Sequence, residues 1–358
     1  MRKKLFAILF LLIFAGLGIS FILYTDIAMV QLPVLIQKNP KITFVLGNAT
    51  YRKSPSEQWE IAIVGQTLSL GYEVKTENNS HMDIRFHGDM AIRVSENSMM
   101  RIDEMSVRKI LLKLNSGSMY GKFEKLFKDY DIKVKTPTVV AAIRGTELGF
   151  DIKEDVAEMN KHQLMRKRAA TKEREEEEIE PLYISTVYSL SGITELNNPA
   201  SEDQRVLLSY QNKILIKEKE PPANPQKMTD EEIATMRSIL NSIHTEEVLF
   251  ISDKINFEVN SATILPDSYK ELEKIEKIIK EKNVNVRIEG HTDIQGTAPF
   301  NQTLSVQRAE SIKKFLTQKG IDPKHLEVAG YGSSKPIGNN STPAGRALNR
   351  RVEFIIIE

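Results

Sequence analysis

VNVRIEGHTDIQGTAPFNQTLSVQRAESIKKFLTQ, Val284 to Gln318, changes period halfway along, and that change decides the fold of the C-terminal third. Its start alternates: Val284, Val286 and Ile288 fall on one side of a strand, Asn285, Arg287 and Glu289 on the other. From about Gln302 the apolar spacing turns helical and runs to Gln318, with Gly320 beyond it as a C-terminal stop. At 100° per residue from Leu304, Phe315 falls at about 20°, Ile312 at about 80°, Leu316 at about 120° and Ala309 at about 140°. These residues define a buried stripe. Arg308 falls inside it at about 40°, beside Asn301 and Ser305, whereas Gln307, Glu310, Lys313 and Lys314 lie on the opposite side.

The flanks supply the remaining elements. INFE (255–258) reads as a short strand, and DSYKELEKIEKIIKEK places Tyr269, Leu272, Ile275, Ile278 and Ile279 on one helical face, with Asp267 as N-cap. HLEVAGYG and RVEFIIIE read as two further strands. The order β-α-β-α-β-β over 249–358 predicts an α/β sandwich with two helices on one face of a small sheet.

A guanidinium on an apolar helix face needs a partner, because it is almost never buried alone. Asp293, in GHTD on the loop leading into the helix, is the complementary charge. The two either pair with each other as a structural ion pair or bracket a zwitterion, the acid taking its ammonium and the Arg its carboxylate.

INFEVNSATIL, EGHTDIQGTAPFNQTLSVQRAESI and VAGYGSSKPIGNNSTPAGRALNRRVEFII together resemble the OmpA-like peptidoglycan-binding family. The resemblance implies that Asp293 and Arg308 hold the diaminopimelate head of an uncrosslinked stem peptide, the acid on its amine and the Arg on its carboxylate. It implies further contacts from Asn301, from Asn260 on the loop after the first strand, and from Arg351, or its neighbour Arg350, at the pocket edge. Gly290, Gly330, Gly332, Gly345 and Arg346 read as turn and fold residues.

Upstream, residues 41–220 carry short alternating runs, such as Met82, Ile84, Phe86 and Ile110, Leu112, Leu114, between Gly, Asn, Asp and Ser clusters. That pattern predicts an all-β domain. Thr136 and Thr138 around Pro137 predict extended backbone, and Arg144-Gly145-Thr146 a tight turn with the Arg held by neighbours. Lys153 to Glu180 is too densely charged to bury a core and reads as an excursion from this domain. Residues 221–248, which begin within the Pro-rich EPPANPQ (220–226), read as a linker. KTPTVVAAIRGTELGFDI (135–152), with GYEVKTENNSHMDIRF and SENSMMRIDE before it, is similar to FecR-like periplasmic domains. The cytoplasmic signalling segment of iron-signalling FecR proteins has no counterpart in MRKK.

The first residues set the location. MRKK precedes an apolar run from Leu5 to Tyr24, long enough for a bilayer core of roughly 30 Å and longer than the apolar part of a signal peptide. Residues 1–24 read as a membrane anchor or, with Gly16-Leu17-Gly18 as its cleavage site, a signal segment; we expect the uncleaved helix, with its N-terminus in the cytoplasm, in the inner rather than the outer membrane of a bacterial envelope, and everything from about Thr25 in the periplasm. The expected whole is multidomain: an N-terminal membrane helix (1–24), an all-β FecR-like domain (41–220) and a C-terminal α/β OmpA-like sandwich (249–358).

The chain has 358 residues and a net charge of +1, so no global field draws it to nucleic acid. It has no cysteine, which removes disulfides, thiolate metal sites and cysteine nucleophiles. The six histidines form no H-x-H or HExxH spacing, GYGSSKP lacks the end of a phosphate loop, and no G-x-S-x-G elbow occurs. No metal, cofactor or enzymatic activity is expected. The expected partners are peptidoglycan, the membrane and a possible protein bound by the β-domain, in which case wall attachment is only the tether of a sensor or adaptor. A stator-like channel subunit would need an acid within the membrane helix; Asp26 lies outside the apolar run.

Overall fold

The computed structural model describes residues 39–86, 90–106, 108–123, 130–156, 182–197, 205–218, 220–252 and 254–357. The apolar run read as a membrane helix lies outside them; among the described residues no helix is long and apolar enough to cross a membrane.

Lys41 to Lys227 builds two largely antiparallel sheets that share one strand, Lys109–Lys122. The first half of that strand pairs with Met99–Met105 and Asp131–Lys135, the second with Ala91–Val94 and Glu147–Glu154. Ile110, Leu112 and Leu114 point inward before the crossing, Met119 and Gly121 after it, so the buried side changes parity as the strand passes between sheets. Gly117 (φ 78°) makes the switch, where a Cβ would lie 2.6 Å from the Ser98 backbone. One hydrophobic cluster, including Ile42, Leu68, Ile84, Met100, Phe150 and Val187, fills the space between the sheets.

The charged excursion leaves and rejoins this domain at one place. Strands Glu147–Glu154 and Tyr183–Ser189 pair with Glu154 opposite Tyr183, and residues 157–181 lie outside the described set. The Arg144-Gly145-Thr146 turn is present, with Gly145 at φ 73°. Arg144 is exposed, its guanidinium 3.6 Å from Glu195. Thr136-Pro137-Thr138 is a turn rather than the extended run expected: Thr136 Oγ1 accepts from Thr138 N and Val139 N, tightening the chain between two strands.

Residues 221–248 are not the linker expected. Pro221–Pro225 is irregular, but Thr229 caps a helix, Asp230–Asn241, through a capping box with Glu232. Ile233, Met236, Leu240 and Ile243 recur at helical spacing, and this stripe packs on Ala91 and Leu190 of the β-domain. The neighbouring prolines masked it.

The connector ends in a buried polar clamp between the two domains. Asp83 and Arg93 of the β-domain form a bidentate pair at 2.7 Å, and Arg93 also donates to Ser242 Oγ and O at 2.7 Å. His244 donates through N and Nδ1 to Asp83, both at 2.9 Å, and through Nε2 to Glu353 of the C-terminal domain at 2.9 Å. Phe44 stacks on its ring at 4.1 Å and packs with Val248 and Ile355. Burial alone would raise the Asp83 carboxyl; Arg93 and His244 outweigh it and hold the group well below the usual carboxylate range. Burial likewise opposes charge on His244, but Glu353 and Asp83 together raise its imidazole.

The C-terminal sheet has the order Val248–Ser252, Val352–Ile357, Asn285–His291, Leu326–Gly332. Helices Tyr269–Lys282 and Ala298–Gln318 cover one face, burying Leu272, Ile275, Ile279, Ala309, Ile312 and Leu316. The element order matches expectation with three corrections. The first strand is Val248–Ser252, and INFE contributes only a Phe257–Ile264 bridge. Asp267 lies within a 3-10 turn, and Ser268 is the N-cap of the following helix. A short helix, Pro343–Asn349, precedes the last strand.

Candidate functional site

The central strand Asn285–His291 delivers Asp293 to its carboxyl end, where Thr292 N donates to Gly332 O of the neighbouring strand at 2.9 Å. The helix Ala298–Gln318 starts alongside, capped by Thr297. It lies almost on the strand backbones: a Cβ on Gly290 would meet Ser305 O at 2.2 Å, and one on Gly330 would meet Val306 N at 2.5 Å. Those glycines bring Asn301, Ser305 and Arg308 up to the strand ends.

Asp293 is buried, and its two oxygens have different jobs. Oδ1 accepts from Gln295 N at 2.9 Å, fixing the loop, and Oδ2 accepts from Arg350 Nη1 at 2.6 Å. Asn301, expected as a ligand contact, is buried and directs Nδ2 to the carbonyls of Asp293 (3.3 Å) and Gln295 (3.0 Å). It shapes the loop that holds the acid.

Arg308 is half-buried and is not paired with Asp293. Its Nε donates to Ser261 O at 3.0 Å and its guanidinium lies 4.8 Å over the Phe257 ring. Among the described residues it has no carboxylate within ion-pair distance. Burial and then Arg350 lower its pKa, with Asp293 acting in the opposite sense. Its terminal nitrogens are therefore donors awaiting an acceptor. Asn260 precedes Ser261 on the loop that meets Arg308; it is exposed at φ 53°, a turn residue at the rim.

Arg351 is not at the pocket edge. Its side chain is 1% exposed and binds Glu353 Oε1 at 2.5 Å and Lys335 O at 3.1 Å, next to the interdomain clamp. Arg350, the residue that caps the end of the short helix Pro343–Asn349, is the one that reaches Asp293.

Two contributors were missed in the sequence. Phe257 forms the floor beneath Arg308. Asn349, completely buried, accepts from Ile337 N and Gly338 N and donates to Gly338 O and Asn340 Oδ1, satisfying its whole amide. Asn340 in turn accepts from Ile294 N, so Asn349 ties the Arg350 segment to the Asp293 loop. Gly345, already read as a fold residue, permits this: a Cβ there would lie 2.0 Å from Asn339 O.

His291, expected as a turn residue, ends the central strand in the interior and sits with Glu289 and Glu353 in a geometry that could hold a metal ion. Arg287 already binds Glu289, and Arg351 and His244 bind Glu353. With these cations on the carboxylates we assign no metal there.

Residues 256–350 match the model of the OmpA family, and residues 72–160 match that of FecR protein. The C-terminal region is 35% identical over 108 residues to Outer membrane porin F of Pseudomonas fluorescens, covering 30% of this chain and 33% of that protein. It is 41% identical over 107 residues to Outer-membrane lipoprotein YfiB of Pseudomonas aeruginosa, covering 30% of this chain and 64% of that protein. It is 31% identical over 121 residues to the Peptidoglycan-associated lipoprotein of the same species, covering 34% of this chain and 72% of that protein. The chain thus spans less than two thirds of the first two relatives' own lengths.

Proposed function

Because the chain belongs to the OmpA family through its C-terminal domain, with a FecR domain ahead of it, we propose that it binds peptidoglycan noncovalently in the bacterial cell envelope. The pocket takes the diaminopimelate head of a stem peptide: its amine goes to Asp293 and its carboxylate to Arg308. One observation carries this reading. Arg308 is half-buried on the apolar helix face, yet its guanidinium has only a carbonyl and a ring as partners among the described residues. A structural arginine in that position would be neutralised; this one keeps open a fork that fits a carboxylate.

The reaction class is binding, not catalysis. The pocket offers one fixed acid and two guanidiniums, and no nucleophile paired with a base. With the apolar run 5–24 as an inner-membrane anchor, the FecR domain is held between membrane and wall. Losing one charge of a desolvated pair costs about 2 to 5 kcal/mol. Asp293→Ala and Arg308→Ala should therefore abolish co-sedimentation with purified sacculi. If both folded variants sediment fully, the site is elsewhere.

The clamp supports a second reading, in which the wall-binding domain serves a FecR domain that docks a protein partner, because the two are joined by buried charge rather than by a loose tether. Cross-linking in cells that captures no partner dependent on residues 41–220 removes it.

A further inference from the structure

Arg350 stands where a ligand's ammonium has to go. Asp293 Oδ1 is committed to Gln295 N, which leaves Oδ2 for an incoming amine, and Arg350 Nη1 already sits on it at 2.6 Å. We infer that Arg350 is an intramolecular competitor that occupies the pocket's amine position and selects for ligands whose amine neighbours a carboxylate. The inference rests on the wall-binding reading of this pocket.

Three observations carry it. The pair is asymmetric: the Asp293 side chain is 7% exposed and that of Arg350 is 50% exposed. The acid cannot move away, but the guanidinium can return to water at small cost, as exposed partners of ion pairs do. Second, only the side chain of Arg350 is free to swing. Asn349 on one side is fixed by four hydrogen bonds, and Arg351 on the other is buried against Glu353. Third, the pocket holds two guanidiniums and one carboxylate. A simple cation must expel Arg350 and then face two positive groups. An amino-acid head brings its own carboxylate, to which the open nitrogens of Arg308 and the released Arg350 can both donate. The competitor thus turns a general cation site into one for zwitterions, by penalising the wrong ligand as well as favouring the right one.

The test uses two probes differing only in the two carboxylates: meso-diaminopimelate, and cadaverine, the same five-carbon diamine without them. Binding to the detergent-solubilised full chain is measured by calorimetry. Arg350→Gln should bind cadaverine about fivefold more tightly than wild type, the gain expected from removing an ion pair with one exposed partner. Its preference for meso-diaminopimelate over cadaverine should fall. Arg350→Ala, which removes the whole side chain, should show the same gain. If neither variant binds cadaverine more tightly while wild type binds meso-diaminopimelate and Asp293→Ala does not, the competitor is overturned and the wall-binding reading stands. If wild type binds neither probe and Asp293→Ala and Arg308→Ala both sediment fully with sacculi, both fall together.

Discussion

The interdomain clamp and the pocket of Asp293 and Arg308 use the same kinds of side chain to opposite ends. In the clamp, Asp83 accepts from Arg93 and His244, Glu353 accepts from His244 and Arg351, and Arg93 spends its remaining donors on Ser242. In the pocket, Asp293 shares one oxygen with a half-exposed Arg350, and Arg308 has no acid among the described residues. A saturated buried network is structural because every departure leaves a bare charge; an undersaturated one is a place for something else to bind. Counting partners separates the two where counting charges does not.

Removing one member of each network sharpens that contrast. Asp83→Ala strands Arg93 and His244 in the interior and should cost about 3 to 5 kcal/mol, read as a lowered urea midpoint for loss of the β-domain signal. A loss below about 1 kcal/mol would mean that the clamp is wet and the contrast false.

Titration comes next in size. The His244 pKa is raised in the folded protein, so its contribution is complete below about pH 6.5 and is lost as pH rises through the folded value. His81, pushed down to about 3 by burial and then by Arg93, acts in the other direction: the unfolded chain takes up its proton first, so stability falls as pH drops below about 6.5. His291, buried and lowered for the same reason, adds to that acid-side loss. Stability should therefore peak near pH 6.5, changing by up to about 1.4 kcal/mol per pH unit for each group on either side. In His244→Gln the alkaline decline should vanish while the acid decline persists. An unchanged alkaline limb in that variant would place the titration elsewhere.

The smallest effect is expected at the site itself. Arg308→Ala loses one hydrogen bond and a cation–π contact and leaves no acid behind, so it should cost under about 1 kcal/mol in thermal unfolding while sacculus binding is lost. A cost of 3 kcal/mol or more would make Arg308 a structural residue like Arg93.

Much of the C-terminal domain was legible because periodicity reports which face is buried. The strand at 285–291, the helix to Gln318 and the position of Arg308 inside its stripe all follow from spacing. What spacing cannot report is a partner on another element. The choice between Arg350 and Arg351 depends on how the chain turns from the short helix Pro343–Asn349 into the last strand, and neither residue's neighbours in sequence carry that information. The same limit hid Asn349, whose four hydrogen bonds reach three residues nine to twelve positions away. The linker misread at 230–241 has a different origin: flanking prolines outweighed an apolar stripe that, taken alone, reads as helix.

The chain between the short helix and the last strand joins both networks: Arg350, capping the helix Pro343–Asn349, touches Asp293, and Glu353, in the strand, touches His244. Three residues of chain span at most about 10 Å. Tension applied at the pocket thus has a short load path into the β-domain through side chains, across the clamp, rather than around the polypeptide through residues 218–248. The mechanical strength of the link between the two domains is then set by Asp83, His244 and Glu353, and it should soften at the pH where His244 gives up its proton.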